Sequence, residues 1–269
     1  MLVPINTSGT KPPLFLVHGM FEHVSSATPF AHALGPDRPF YTIHPNGTDG
    51  RDPVIDDMAD MVRAYVEQIR GVCPTGPVHI GGFCVGGLAA IAVGRAVQQE
   101  GRLVGPVILA DPFLPLGALG RAYHRDPLVA DALYRSVRER LSNRPPSSYN
   151  DTPFDRRDPQ QLHAATLAGV GSILALCRHV PQPFSGPTQV IVSALRAAQF
   201  FHPASPWHSL LPGPRMVHVV PWRHQEIFGS GVEHLARVLK FLLEESGGWG
   251  AVDAHQRGTN GCVKSATSS

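Results

Sequence analysis

Apolar residues fall along this chain in two alternating rhythms. Short, almost wholly apolar runs recur at Pro13–His18, Phe40–His44, Pro77–Phe83, Pro106–Asp111, Thr188–Ser193 and Met216–Val220. Several of them are apolar almost throughout, as expected of strands buried on both faces. Between them lie stretches with helical spacing. The clearest covers Val54–Val72, where Val54, Met58, Met61, Val62, Tyr65, Val66 and Ile69 share one face at steps of three and four. A second helix is expected from about Val85, and a last one over Val232–Leu243. Strands alternating with helices predict an α/β fold whose mostly parallel central sheet is flanked by helices.

From Pro112 to Ser185 the alternation breaks. Two helical patterns, Pro127–Asn143 and Asp158–Val180, are separated by the turn-rich segment NRPPSSYNDTPFDRRD. A helical insertion between core strands is read as a lid over a site at the strand ends, with a second helical layer as the alternative. The expected organisation is therefore one domain over residues 1–245, with a core of 1–111 and 186–245 and a lid of 112–185. The Gly/Ser-rich, aperiodic stretch 246–269 is expected to be a disordered tail.

Composition narrows the function classes. Hydrophobic residues are 43% and charged residues 16%, as in an ordinary globular protein. A formal net charge of +2, with no Lys/Arg run, gives no phosphate-binding stripe and argues against nucleic acid as a partner. The fourteen histidines lack the close paired spacing of a zinc site. Four cysteines, Cys73, Cys84, Cys177 and Cys262, form no CxxC pair and read as free thiols of a reducing compartment. The N-terminal stretch has no basic start followed by a long apolar run, and nowhere does an apolar run approach the roughly 20 residues that cross a bilayer. A cytoplasmic protein without membrane contact is the expectation.

The sharpest chemical signal is Gly82-Phe83-Cys84-Val85-Gly86, followed by Gly87, at a strand-to-helix junction. In the G-x-S-x-G nucleophile elbow, small residues permit a strained turn that projects the nucleophile above the sheet. Here cysteine holds the serine position, and the start of a helix favours the negative charge of a thiolate. A buried structural thiol in a Gly-rich turn is the plainer alternative. A nucleophile needs a base, and the base an orienting group. Asp111 ends the next strand, at the same sheet edge, although an Asp before proline also commonly starts a turn. His224 follows the last strand, and the order nucleophile, acid, histidine is that of α/β-hydrolases. Backbone N–H groups of Val85 and Met20 are the expected oxyanion donors. His18, in the same loop as Met20, is read as structural.

These segments resemble the thioesterases that release products from nonribosomal peptide and polyketide synthases. The resemblance covers most of the chain. LVPINTSGTKPPLFLVHG is similar to their opening strands, VHIGGFCVGGLAAIAVGRAV to their elbow, and GPVILADPF to their acid-bearing strand. It implies an α/β-hydrolase fold, a helical lid and a catalytic Cys84–His224–Asp111 triad. Two features depart from the family pattern: cysteine replaces the usual serine, and Trp222-Arg223 replaces a small acidic lead-in to the histidine.

The resemblance further implies a substrate that is an acyl or peptidyl chain on the phosphopantetheine arm of a carrier protein or upstream synthase module, with no bound cofactor or metal and a monomeric enzyme. It also implies release by cyclisation, to a strained lactone or lactam among other rings, or by hydrolysis, in natural-product biosynthesis. GFCVGG is also similar to the cysteine elbow of dienelactone hydrolases, which act on small esters and lactones. Their acid follows a later strand, and here TQVIVSALRAAQFF carries none. A catalytically inactive binding protein is a third reading.

Overall fold

The computed structural model describes residues 1–19, 27–114, 121–123, 125–143, 154–224, 226–227 and 230–245. Seven strands form one sheet: β1 (Leu2–Asn6), β2 (Leu14–Val17), β3 (Phe40–Ile43), β4 (His79–Phe83), β5 (Val107–Ala110), β6 (Thr188–Ser193) and β7 (Arg215–Val220). Their order is β1-β3-β2-β4-β5-β6-β7. Only β1 runs antiparallel, pairing Leu2 with Ile43; every other pair is parallel, so β2 to β7 all end at one edge. This is the mostly parallel, helix-flanked sheet of an α/β-hydrolase, as expected.

The helices are α1 (Ala27–Leu34), α2 (Met58–Val72), α3 (Gly86–Gln99), α4 (Pro127–Ser142), α5 (Pro159–Arg178), α6 (Ala194–Phe201), α7 (Trp207–Leu210) and α8 (Val232–Glu245). The apolar face read along 54–72 is real, with Met58, Met61, Tyr65, Val66 and Ile69 buried, but α2 starts four residues later than the periodicity suggests. Asp57 is the reason. Its carboxylate accepts hydrogen bonds from the Ala59 and Asp60 N–H groups, satisfying donors that no helix carbonyl can reach. Strands β2, β3, β4, β5 and β6 are buried throughout, which explains their unbroken apolar runs.

The insertion has its own apolar cluster. Leu133, Val137 and Leu141 of α4 meet Leu162, Ile173, Leu174 and Cys177 of α5, with Phe154 between. Each helix opens on an Asp cap followed by proline, Asp126-Pro127 and Asp158-Pro159. On its other side α5 lies tightly on the segment preceding α2. A Cβ on Gly171 would stand 2.5 Å from Val54 Cγ1 and 2.9 Å from the Ile55 carbonyl oxygen. Arg178 adds an ion pair to Asp56 at 3.1 Å. Thus α5 packs against the segment that leads into α2.

Candidate active site

The site is assembled at the carboxyl ends of β4 and β5. Strand β4 passes into α3 through Cys84, whose φ of 56° lies in the left-handed region that a residue with a Cβ rarely occupies. The turn closes because its neighbours are glycines. A Cβ on Gly82 would sit 2.1 Å from the Gly86 carbonyl oxygen, and one on Gly86 would sit 2.1 Å from the His18 carbonyl oxygen. The Cys84 N–H donates to the Ala110 carbonyl at 3.0 Å, and its carbonyl accepts from Gly87 and Phe113. Cys84 is thereby pinned at the helix start, nearly buried at 8% exposure.

Asp111 continues β5 and is the only other described non-glycine residue with positive φ, at 46°. Its side chain is fully buried. One carboxylate oxygen accepts the Ser193 N–H at 2.7 Å; the other accepts from His224 Nδ1 at 2.5 Å and lies 3.3 Å from Arg196 Nε. Arg196 also donates from Nη1 to the Asp111 and Pro112 carbonyls at 3.0 and 3.4 Å, and its guanidinium lies 5.1 Å from the centre of the Phe113 ring. Burial alone would raise the Asp111 pKa, but the bonds from His224 and Ser193 and the Arg196 charge outweigh it and hold the carboxyl below its usual range.

His224 reaches Asp111 from the loop after β7. Its ring stacks on Phe83 at 4.6 Å with 14° between planes, which orients the imidazole over the end of β4. Trp222, edge-on to His234 of α8 at 4.7 Å, anchors the lead-in, and the Arg223 N–H donates to Glu226 at 2.9 Å. Burial disfavours the imidazolium, yet hydrogen bonds to Asp111 and Cys84 and the charge of Cys84 prevail over burial and Arg196, lifting His224 to about 9. The structure thus brings the Cys84 thiol, the His224 imidazole and the buried Asp111 carboxylate to one site.

Of the two expected oxyanion donors, Val85 follows Cys84 directly and caps α3 at φ −64°, with its residue buried. Met20 lies outside the described residues. His18 takes another role. Its Nδ1 is 2.7 Å from the Gly19 carbonyl and its Nε2 is 3.2 Å from the Tyr65 hydroxyl and 3.4 Å from Ser172 Oγ. Burial lowers its pKa to about 4, so the ring is neutral, donating from Nδ1 and accepting at Nε2. This links the loop after β2 to α2 and α5.

Cys73 is buried with its thiol on the Thr75 carbonyl, and Cys177 is buried in the insertion's apolar cluster, where desolvation pushes its thiol pKa up. Cys262 lies outside the described residues. No group of three metal-binding side chains occurs among the described residues, and no described helix is long and apolar enough to cross a membrane. Sequence reasoning missed Arg196, Phe83 and Ser193. Arg196 lies in the segment after β6, where the sequence offers no acid and an isolated arginine carries no motif.

Known proteins resemble parts of this chain in sequence and most of it in fold. Residues 12–133 match the family model of the thioesterase domain. Over 111 residues, 41% of this chain, the sequence is 37% identical to the chondramide synthase of Chondromyces crocatus. Over 91% of this chain it is 26% identical to a dimodular nonribosomal peptide synthase of Bacillus subtilis (strain 168). The chain spans 3% and 11% of the lengths of these two relatives. Among solved structures, the NocB thioesterase domain of the nocardicin cluster is 20% identical, with a TM-score of 0.65 covering 90% of this chain and 98% of that one. A four-domain nonribosomal peptide synthetase bound to AMP and glycine gives a TM-score of 0.70 at 20% identity, covering 90% of this chain and 20% of that one. These likenesses of structure establish the fold.

Proposed function

We propose that this chain, a domain of the thioesterase family found in nonribosomal peptide and polyketide synthases, takes an acyl or peptidyl chain onto Cys84 and releases it. One observation carries the reading: a thiol held in a left-handed elbow shares a site with an imidazole bonded to a buried carboxylate. The chain would arrive as a thioester on the phosphopantetheine arm of an acyl or peptidyl carrier protein. His224 takes the Cys84 proton, and Sγ attacks the thioester carbonyl. Asp111 holds the imidazole by Nδ1 and stabilises its charged form. The oxyanion rests on the Val85 N–H, with the loop after β2 as the second donor's place. Collapse breaks the carbonyl–sulfur bond to pantetheine, whose thiolate leaves with the His224 proton. A second nucleophile then gives its proton to His224, attacks the acyl-cysteine and frees the product.

Cysteine changes the energetics of this scheme. Transfer from pantetheine to Cys84 exchanges one thioester for another, so acyl activation is conserved; a serine would form a less activated oxoester. That supports a demanding second step, closure of a strained lactone or lactam, over hydrolysis. The acid at the end of β5, with Arg196 rather than an acid following β6, supports this reading over the dienelactone-hydrolase arrangement.

The test is intact-protein mass spectrometry after adding an acyl N-acetylcysteamine thioester to the parent, Cys84→Ala and His224→Ala proteins. An acyl mass on the parent that is absent from Cys84→Ala is expected; an unmodified parent that leaves the thioester intact would overturn the proposal. A Cys84→Ser protein that forms the same cyclic product as fast as the parent would remove the argument for cysteine in cyclisation.

A further inference from the structure

A second feature lies at the same sheet edge, toward β6. A cavity of about 180 Å³ opens between the segment after β5, the end of β6 and helices α6 and α7. Phe113, Leu114, Phe200 and Trp207 form its apolar walls, with Arg196 and Gln199 as polar members of the lining. The Phe200 and Trp207 rings of this lining stack on each other with centroids 6.0 Å apart. The Arg196 guanidinium is fixed by Asp111 and by two backbone carbonyls.

The cavity is built on the same turn as the nucleophile. The Phe113 N–H donates to the Cys84 carbonyl at 3.1 Å, and Pro112 stands over Gly87. Adjacent strands are about 4.8 Å apart, so an opening over β5 and β6 begins roughly 5–10 Å from the end of β4. An extended chain advances about 3.3–3.6 Å per residue. A side chain on the first or second residue from an acyl-Cys84 can therefore enter it.

Size and lining choose the occupant. An apolar cavity of about 150 Å³ accepts benzene, so this one accommodates a single aryl ring. A planar, weakly hydrated guanidinium stacks favourably on aromatic faces and gains little from an alkyl group. We infer that this cavity is a subsite for an aryl side chain near the carboxyl end of the acyl chain. The inference rests on the thioesterase reading above and specifies its substrate class.

The experiment compares four N-acetylcysteamine thioesters, 3-phenylpropanoyl, 3-cyclohexylpropanoyl, 3-naphthylpropanoyl and butanoyl, by the second-order rate of Cys84 acylation in the parent, Gln199→Trp and Trp207→Ala proteins. Gln199 is exposed at the rim, and a larger side chain there closes the opening. The parent is expected to favour the phenyl over the cyclohexyl chain by about 10-fold, within the range a pocket contact supports. Gln199→Trp is expected to cut the phenyl-to-butanoyl ratio about 10-fold. Trp207→Ala should move the preference toward a 3-naphthylpropanoyl chain. Because each ratio is internal to one protein, a partly misfolded preparation does not imitate the result. Equal phenyl and cyclohexyl rates with normal butanoyl acylation would overturn the subsite and leave the thioesterase reading standing. Failure of all the thioesters to acylate Cys84 would overturn both.

Discussion

Replacing Asp111 by Asn isolates the electrostatics of the site. Asn keeps the shape and can still accept the Ser193 N–H, but it removes the negative charge that His224 faces at 2.5 Å. Lifting an imidazole from 6.5 to about 9 corresponds to roughly 3 kcal/mol in favour of the imidazolium. Burial works against that shift from the start, and Asp111 makes the largest contribution opposing burial. With the carboxylate gone, burial and the Arg196 charge both push the ring down, and only Cys84 pushes it up. His224 should then titrate near 6.5 or lower. In the reaction scheme this removes both the driving force for proton uptake from Cys84 and the bond that fixes the tautomer, and acylation should fall by about 10³–10⁴-fold. The assay is a histidine-selective NMR titration of parent and Asp111→Asn proteins, with acylation rates measured alongside. Thermal unfolding establishes that the variant is folded. A His224 pKa within half a unit of the parent's, in a folded variant, would refute the assignment of Asp111 as the group that raises it.

Three further predictions follow from the same geometry. Arg196→Gln should raise the His224 pKa above its parent value, because the lost positive charge was holding it down, and should cost about 2 kcal/mol of stability as the Asp111 turn loses its clamp; NMR titration and urea unfolding check both, and a fall in the His224 pKa would contradict the argument. Gly86→Ala should destabilise by about 2–4 kcal/mol, since its Cβ meets the His18 carbonyl with no side chain able to yield, whereas Gly71→Ala, in helix α2 with nothing within 4 Å, should stabilise by about 0.5–1 kcal/mol in urea melts. His224, with its folded pKa raised, contributes stability that is full below its unfolded value of 6.5 and lost as pH rises through about 9; the stability advantage of the parent over His224→Gln, followed by denaturant midpoints, should therefore shrink between pH 6.5 and 9.5, and an advantage that grows over that range would reverse the sign of the linkage.

The legibility of the chain follows from where its information is local. Buried parallel strands and the long amphipathic α2 write their burial directly into the spacing of apolar residues, and Asp-Pro pairs announce α4 and α5. Helix α1, eight residues long, carries no such signal, and α6, equally short, follows β6 directly, so the sequence marks the strand Thr188–Ser193 but no helix after it. Strand β1 includes Pro4 at an antiparallel edge and was read only by resemblance. Within the site, Cys84 and Asp111 were legible because each ends a strand at a known edge. Arg196 was not, because its partner is 85 residues away in sequence and its role exists only once β5 and β6 are side by side.

Backbone strain supplies an argument that the sequence patterns could not. Left-handed conformations are costly for residues with a Cβ, and they persist where surrounding contacts over-determine them. Among the described residues outside glycine, two adopt positive φ, and they are Cys84 and Asp111. Each is held there by bonds to a neighbouring strand: the Cys84 N–H to the Ala110 carbonyl at 3.0 Å, and the Asp111 N–H to the Ile191 carbonyl at 2.6 Å. The two strained turns are joined through Phe113, which donates to the Cys84 carbonyl and lies under the Arg196 that binds Asp111. A fold seeking stability alone would place glycine at both positions. That it places a thiol and a carboxylate there, with an imidazole bonded to the carboxylate, is the physical reason to look for chemistry at this edge of the sheet.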